Sequence, residues 1–452
     1  MQSILDKIIA DKRLWVAERM RQQPLAGFQD KITPSTRSFY QALSGPRAAF
    51  ILECKKASPS KGCLRPDFDP AYIANIYKHY AAVISVLTDE PYFQGRFEFL
   101  PIVSAAAPQP VLCKDFIISA YQIYLARYYQ ADACLLMLSV LSDDEYCTLS
   151  SLAARLKMGV LTEVSTPAEL ARARKLHAKV VGINNRDLRD LSIDLNRTRQ
   201  LAQDLGKDVV VISESGFNSY KQLRALRPFA KGFLIGSALM AQQNLDQALR
   251  GLVLGKNKVC GLTRAEDAQA ALKAGALYGG LIFVPSSPRY VSESQALEIC
   301  KEAALRYVGV FREAPLEAVV ETAKQLRLHA VQLHGNEDQA YITNLRKVLP
   351  DSVKIWKAMA VKGHLPARDL NHIDRYVFDN GAGGSGQRFD WSLLKGQDLH
   401  NVLLAGGLGP DHCAQAAELG CAGLDFNSGL ESQPGLKDLH KLNQVFQILR
   451  DY

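Results

Sequence analysis

Short apolar runs recur along this 452-residue chain, and an amphipathic stretch follows each of them. In the first half they occupy 49–55, 81–88, 110–116, 133–139, 159–164, 180–186, 209–216 and 232–237. The second half repeats the number, at 258–262, 278–283, 306–311, 330–335, 353–360, 375–381, 401–408 and 422–429. Runs this short and this continuously hydrophobic are those of parallel strands covered on both faces. Helix signals fill the gaps. Asp69-Pro70 offers a cap and a first-turn proline, while Thr166–Glu169 and Thr263–Glu266 have capping-box spacing. Leu316, Val319, Val320, Ala323 and Leu326 follow Pro315 at helical spacing. Strict alternation of this kind implies right-handed crossovers and a parallel sheet, and eight units predict closure into a barrel. The predicted fold is therefore α/β: two consecutive (β/α)8 TIM barrels, 1–255 and 256–452, with the seam near Gly255-Lys256. An additional amphipathic segment (Ile4, Leu5, Ile8, Ile9, Trp15) predicts an N-terminal helical extension that covers one end of the first barrel.

Composition narrows the function. Lys and Arg exceed Asp and Glu by 54 to 46, which invites a nucleic-acid reading. The surplus lies wholly in 1–255, with 32 basic against 24 acidic residues, and is dispersed there; 256–452 is balanced at 22 against 22. A dispersed surplus is not a nucleic-acid stripe. No membrane span is expected, since the longest apolar stretch, 133–141, falls far short of the roughly 20 residues needed. Asp6 and Lys7 stand where a signal peptide would need its apolar core. Nine cysteines without a C-x-x-C, several inside apolar runs (Cys54, Cys113, Cys134), read as reduced thiols of a cytoplasmic protein. Nine scattered histidines form no ligand cluster, so no metal site is expected.

Gly381–Gly386 satisfies G-x-G-x-x-G, but the following apolar run ends Leu403-Leu404-Ala405-Gly406 without the acidic residue of a dinucleotide fold. The same loop lacks a Walker lysine. What remains is a glycine-rich backbone able to cradle a phosphate.

In such barrels the reacting groups stand at the C-terminal ends of the strands. In the first half these ends carry Glu53 and Lys55, then Lys114, Glu163, Asn184 and Glu214-Ser215-Gly216. A single pair could be a structural ion pair; five strands contributing to one mouth favour catalysis. A lysine near a second cation and shielded from water is expected to have a lowered pKa and to serve as proton donor. A glutamate beside a lysine is expected to stay ionised. Gly236-Ser237 opens a helix after the last strand, where phosphates commonly bind.

Glu53–Gly62, Leu112–Phe116, Leu161–Val164, Gly182–Leu188 and Ser213–Gly216 resemble, in order, the signatures of indole-3-glycerol-phosphate synthases. The resemblance implies Lys114 as general acid on the substrate carbonyl and Glu163 as second acid/base. Glu53, Lys55, Asn184 and Glu214 would support the intermediate. It also implies substrate contacts at Ser60 and Arg186, and an apolar slot for an anthranilate ring. Phe93 and Phe116 are the candidates for that slot, with plain core packing as the alternative.

In the second half, Cys260 stands at the catalytic end of the first strand and Asp379 ends the sixth, with Arg289 and His334 in nearby loops. A lone cysteine is usually inert. Here surrounding cations are expected to favour a thiolate that removes a proton beside an imine, while a shielded carboxylic acid donates one. Phosphate donors recur at Gly383-Gly384-Ser385, Gly406-Gly407 and Asn427-Ser428-Gly429, with Asp425 among the candidate contacts. Cys260–Thr263, Pro288–Tyr290, Gln332–Gly335, Asp379, Gly383–Trp391 and Ala405–Leu408 resemble phosphoribosylanthranilate isomerases. That resemblance implies Cys260 as general base and Asp379 as general acid in an Amadori rearrangement.

Together the resemblances imply two consecutive steps of tryptophan synthesis on phosphorylated anthranilate derivatives. They imply no cofactor, no metal, no nucleic acid and no membrane, and a monomer. Two alternatives stand beside this. One is a pair of sugar-phosphate isomerases of histidine synthesis, which would centre on paired aspartates. The other is a phosphate-binding regulatory protein with one decayed barrel, which would lack an acid or base in one half.

Overall fold

The computed structural model describes residues 3–187, 190–381 and 388–451. The glycine-rich candidates Gly383, Gly384 and Ser385 lie outside them. The chain divides into two compact units, Met1–Asn218 with Gln222–Ala248 and Ser219–Lys221 with Leu249–Tyr452. Each contains a closed eight-stranded parallel barrel.

The first barrel comprises β1 (Ala49–Cys54), β2 (Val83–Leu87), β3 (Val111–Lys114), β4 (Ala133–Met137), β5 (Gly159–Val164), β6 (Val180–Asn184), β7 (Val210–Glu214) and β8 (Gly232–Ile235). Strands pair in sequence order, and β1 closes on β8 from Ala49↔Gly232 to Leu52↔Ile235. One residue from each strand builds the barrel floor: Ile51, Val83, Leu112, Leu135, Leu161, Val180, Ile212 and Leu234. Because side chains alternate along a strand, the residue two further on faces the same interior, one layer nearer the mouth. In that layer stand Glu53, Lys114, Glu163 and Glu214, with Gly182 on β6 and Gly236 just beyond β8. The polar mouth is thus the continuation of the apolar floor.

Helix α1 (Ile4–Gln22) precedes the barrel, started by a capping box between Ser3 and Asp6. Its Ile8, Ile9 and Val16 are buried, as is Lys12, and Leu5 packs against the barrel's core cluster.

The second barrel comprises β9 (Lys258–Val259), β10 (Tyr278–Ile282), β11 (Arg306–Phe311), β12 (Ala330–Leu333), β13 (Lys354–Ala360), β14 (Arg375–Asp379), β15 (Val402–Leu404) and β16 (Gly423–Phe426). It closes by β9 pairing with β16, which sets Lys258 opposite Asp425. Tyr278, Val308, Ala330, Trp356, Val377 and Leu403 share its core cluster. Two residues further along lie Gly280, Val310, Gln332, Ala358, Asp379 and Ala405.

Of the three caps that the sequence predicts, two form. Asp69 accepts from the backbone N–H groups of Ala71 and Tyr72, and Thr166 from that of Glu169. Thr263 does not cap the next helix, which begins after Arg264 with no side-chain cap. Its hydroxyl donates instead to the Gly435 carbonyl, a tertiary partner that local spacing does not reveal. Among the described residues no helix is long and apolar enough to cross a membrane.

Candidate active site

A cavity of about 450 Å³ opens at the mouth of the first barrel. Its wall includes Glu53, Lys55, Lys114, Asn184 and Glu214 from the strand ends, and Ser60, Phe93, Phe116, Arg186, Ser215, Gly216, Gly236 and Ser237 from the loops. Lys114 Nζ stands 3.7 Å from Glu163 Oε2 and 3.8 Å from Glu214 Oε2. Lys55 Nζ pairs with Glu53 Oε2 at 2.7 Å. Asn184 Nδ2 donates to Glu163 Oε1 at 3.2 Å, and its Oδ1 accepts from the Arg186 backbone N–H at 3.0 Å. Glu163 is not part of the cavity wall; it is reached through Lys114 and Asn184.

Three carboxylates around one ammonium decide the proton balance. Burial disfavours charge on Lys114, yet Glu163, Glu214 and Glu53 outweigh it and raise its pKa. The expected lowering of a lysine pKa is therefore overturned: Lys114 meets three carboxyl groups rather than a second cation, and its charge is held rather than loosened. Burial also opposes charge on Glu53, but Lys55 and Lys114 keep its pKa below the ordinary value. Glu214 departs from the expectation that a glutamate beside a lysine stays ionised. Burial and the neighbouring Glu163 push it up to about 8.

The ring contacts of Phe93 and Phe116 unite the two readings offered for them. Their centroids lie 6.2 Å apart, both line the cavity, and Phe116 also belongs to the core cluster. Beyond β7, Ser215 (φ 69°) and Gly216 (φ 92°) are consecutive residues with positive φ, and both line the cavity.

A second cavity, about 290 Å³, opens at the mouth of the second barrel. Cys260, Arg289, His334, Asp379, Gly406, Gly407, Asp425, Asn427, Ser428 and Gly429 line it. Lys258 Nζ binds Asp425 Oδ2 at 2.8 Å and Gln332 Oε1 at 3.0 Å beneath Cys260. Burial raises the Cys260 thiol above its ordinary value, and Lys258 only partly offsets it. The expected bias toward a thiolate is thus reversed, because desolvation and Asp425 together outweigh the cations. Burial likewise raises Asp379 above the ordinary carboxylate value, against the lowering effect of the Asn380 N–H and Lys258. Burial and Lys258 lower His334, favouring its neutral form. Gly406 (φ 87°) and Gly407 (φ 62°) repeat, beyond β15, the left-handed pair seen after β7.

Residues 5–252 match the model of the indole-3-glycerol phosphate synthase family, and residues 257–448 match that of N-(5'phosphoribosyl)anthranilate (PRA) isomerase. A "Tryptophan biosynthesis protein TrpCF" of Salmonella typhi is 68% identical over 452 residues, covering 100% of both chains. Proteins of the same description from Yersinia pestis and Vibrio cholerae are 63% and 57% identical, each aligned with 100% of this chain and with 95% and 97% of their own. The chain belongs to this bifunctional TrpCF family. Its first barrel is an indole-3-glycerol-phosphate synthase and its second a phosphoribosylanthranilate isomerase, serving consecutive steps of tryptophan biosynthesis.

Several wall residues of these bifunctional barrels escaped the sequence reading. In the synthase barrel, Ile4, Leu5 and Ile8 of α1 line the cavity, so the helical extension covers the catalytic end. Lys61 lies in the loop after β1, and Leu191 and Ile193 in the loop after β6. In the isomerase barrel, Arg312 lines the cavity, and Glu431 grips Arg289 through Nε at 2.9 Å and Nη2 at 2.7 Å. Lys437 pairs with the same carboxylate at 2.8 Å. Glu431 and Lys437 lie in a short hairpin beyond the last strand, outside the positions that the eight-unit pattern singles out.

Proposed function

We propose that the synthase barrel closes the indole ring with Lys114 as general acid. The observation that carries this is one charged, buried ammonium at the cavity wall, enclosed by carboxylates from three strands. The substrate is 1-(2-carboxyphenylamino)-1-deoxyribulose 5-phosphate. The ring carbon bearing its carboxylate attacks the ketone carbon, forming the new C–C bond, while Lys114 protonates the oxygen that would otherwise become an alkoxide. A lysine held charged is loaded with that proton. Loss of CO2 returns the C–C bonding pair to the ring. Glu163, in reach of Lys114 and Asn184, serves as second acid/base for dehydration: the hydroxyl leaves as water and a proton departs from the adjacent carbon. Glu53, Lys55, Asn184 and Glu214 hold the intermediate, and Ser60 and Arg186 contact substrate. Phe93 and Phe116 flank the anthranilate ring. The left-handed Ser215-Gly216 pair and the Gly236-Ser237 segment receive the phosphate.

In the isomerase barrel we assign Asp379 as general acid and Cys260 as general base. Asp379 protonates the ring oxygen of N-(5-phosphoribosyl)anthranilate, and the ring opens to an iminium. The thiol proton of Cys260 is lost to solvent, and the resulting thiolate, favoured by the adjacent iminium and by Lys258, removes the proton from the neighbouring carbon. The enolamine then becomes the aminoketose without net gain or loss of atoms. Arg289 and His334 orient the anthranilate end. Gly406-Gly407, Asn427-Ser428-Gly429 and the Gly383-Gly384-Ser385 loop take the phosphate, with Asp425 holding Lys258 beneath them.

The functional boundary is placed at 255/256, and the protein is assigned as a cytoplasmic monomer acting on phosphorylated anthranilate derivatives. Lys114→Ala in the full chain should abolish indole-ring formation and leave ketose formation intact, while Cys260→Ala should do the reverse. Loss of both activities in either variant overturns the two-site reading. Fragments 1–255 and 256–452, assayed separately, test the boundary, and light scattering and cell fractionation test the other two assignments.

A further inference from the structure

The ammonium of Lys12, on α1, is buried between two carboxylates, 2.7 Å from Asp89 and 2.7 Å from Asp115. It does not line the cavity, but each of its partners is tied to a part of the wall. Asp89, beyond β2, accepts the Tyr92 backbone N–H at 2.9 Å and so starts the helical turn Glu90–Phe93 that presents Phe93. Asp115 directly follows Lys114. It accepts the Phe116 backbone N–H at 2.7 Å and the Thr88 hydroxyl at 2.6 Å. On α1 itself, Ile8 stands one turn before Lys12 and lines the cavity, and the neighbouring Asp11 accepts the Tyr92 hydroxyl. The stem side of the junction is closed by aromatics: Lys12 Nζ lies 4.9 Å from the centre of Trp15, which stacks on Phe97 at 5.7 Å.

One buried charge therefore ties together three pieces of the synthase mouth. A lysine placed among two carboxylates in a dry junction has no alternative partner, and removing it leaves two anions facing each other. We propose that Lys12 is a positioning residue of the synthase reaction: through Asp89 and Asp115 it holds α1, the Phe93 turn and the Lys114–Phe116 segment in a single arrangement. Its two arms divide the labour. The Asp89 arm sets the ring slot, and the Asp115 arm sets the acid. This rests on the assignment of Phe93, Lys114 and Phe116 to the synthase site.

The test uses the full chain, with isomerase turnover as internal control. Lys12→Met should lower synthase kcat/KM roughly ten- to hundredfold, as expected for misplaced reacting groups. Isomerase kcat/KM on the same chains should stay within about twofold. Asp89→Asn should act mainly on KM and Asp115→Asn mainly on kcat, a division that general loosening of the barrel would not produce. If near-UV circular dichroism shows that Lys12→Met unfolds the synthase barrel, the two aspartate variants decide alone. Wild-type KM and kcat in a folded Lys12→Met chain overturns the proposal, as does the same KM and kcat pattern in both aspartate variants. Lys114→Ala is run in parallel. If it retains synthase activity, the site assignment has failed, whereas its loss beside an unaffected Lys12→Met defeats the Lys12 inference only.

Discussion

Gly182 leaves the space that Glu214 fills: a Cβ at position 182 would overlap the Glu214 carboxylate. Gly182 belongs to β6, whose register places the adjoining Asn184 opposite Glu214 on β7. Glu214 is enclosed, so an alanine at 182 must displace it from its place 3.8 Å from Lys114. We expect Gly182→Ala to reduce synthase kcat by about a hundredfold and to destabilise that barrel by about 1–3 kcal/mol through overpacking. Isomerase turnover in the same chain should be unchanged. Steady-state kinetics of both steps measures this.

Glu214 also gives the synthase barrel a pH signature. Its pKa rises from 4.5 to about 8 on folding, so between these values the folded state holds a proton that the unfolded state has released. Its contribution to stability therefore falls as pH rises across that window. Replacing it with glutamine should flatten this part of the stability profile, followed by denaturant unfolding of the full chain monitored in the synthase barrel. A profile of unchanged slope in Glu214→Gln would refute the assignment.

Lys258 and Cys260 predict a second pH effect. Burial raises the thiol and Lys258 lowers it, so Lys258→Met should displace the rising limb of the isomerase pH–rate profile toward alkaline pH. Synthase rates should not respond. A limb that stays in place means that Lys258 does not act on the thiol.

Arg289 is held by three hydrogen bonds to Glu431, from its Nε and Nη2. Glu431→Gln should weaken that grip and raise isomerase KM by roughly 5- to 30-fold, with a smaller change in kcat, because orientation of the anthranilate end is lost rather than the acid or base. The outcome is read from initial rates at varied phosphoribosylanthranilate.

The sixteen barrel strands were legible because each is a short, mostly buried apolar run, and the mouth residues were legible because they stand at the C-terminal ends of those runs. The proton states were not. Lys114 was read as a lysine beside a cation, but Glu53, Glu163 and Glu214 converge on it from β1, β5 and β7, a meeting fixed by barrel closure. Cys260 was read from the cations near it in sequence, whereas desolvation at a buried strand end dominates. Lys12 resembles any solvent-facing charge on an amphipathic helix, and its two partners are distant in the chain. Thr263 matched a cap by spacing and was drawn away by a hairpin beyond the last strand.

Missing side chains shape both mouths as much as the charged ones. A Cβ on Gly236 would overlap the Glu53 carboxylate, and one on Gly280 would lie 2.7 Å from Cys260 Sγ. Anyone re-engineering either barrel for a different reaction should therefore treat positions 182, 236 and 280 as the mould and the acids, bases and thiol as the casting. Libraries that vary the casting while leaving the mould intact will keep the volume in which a new reactive group can stand.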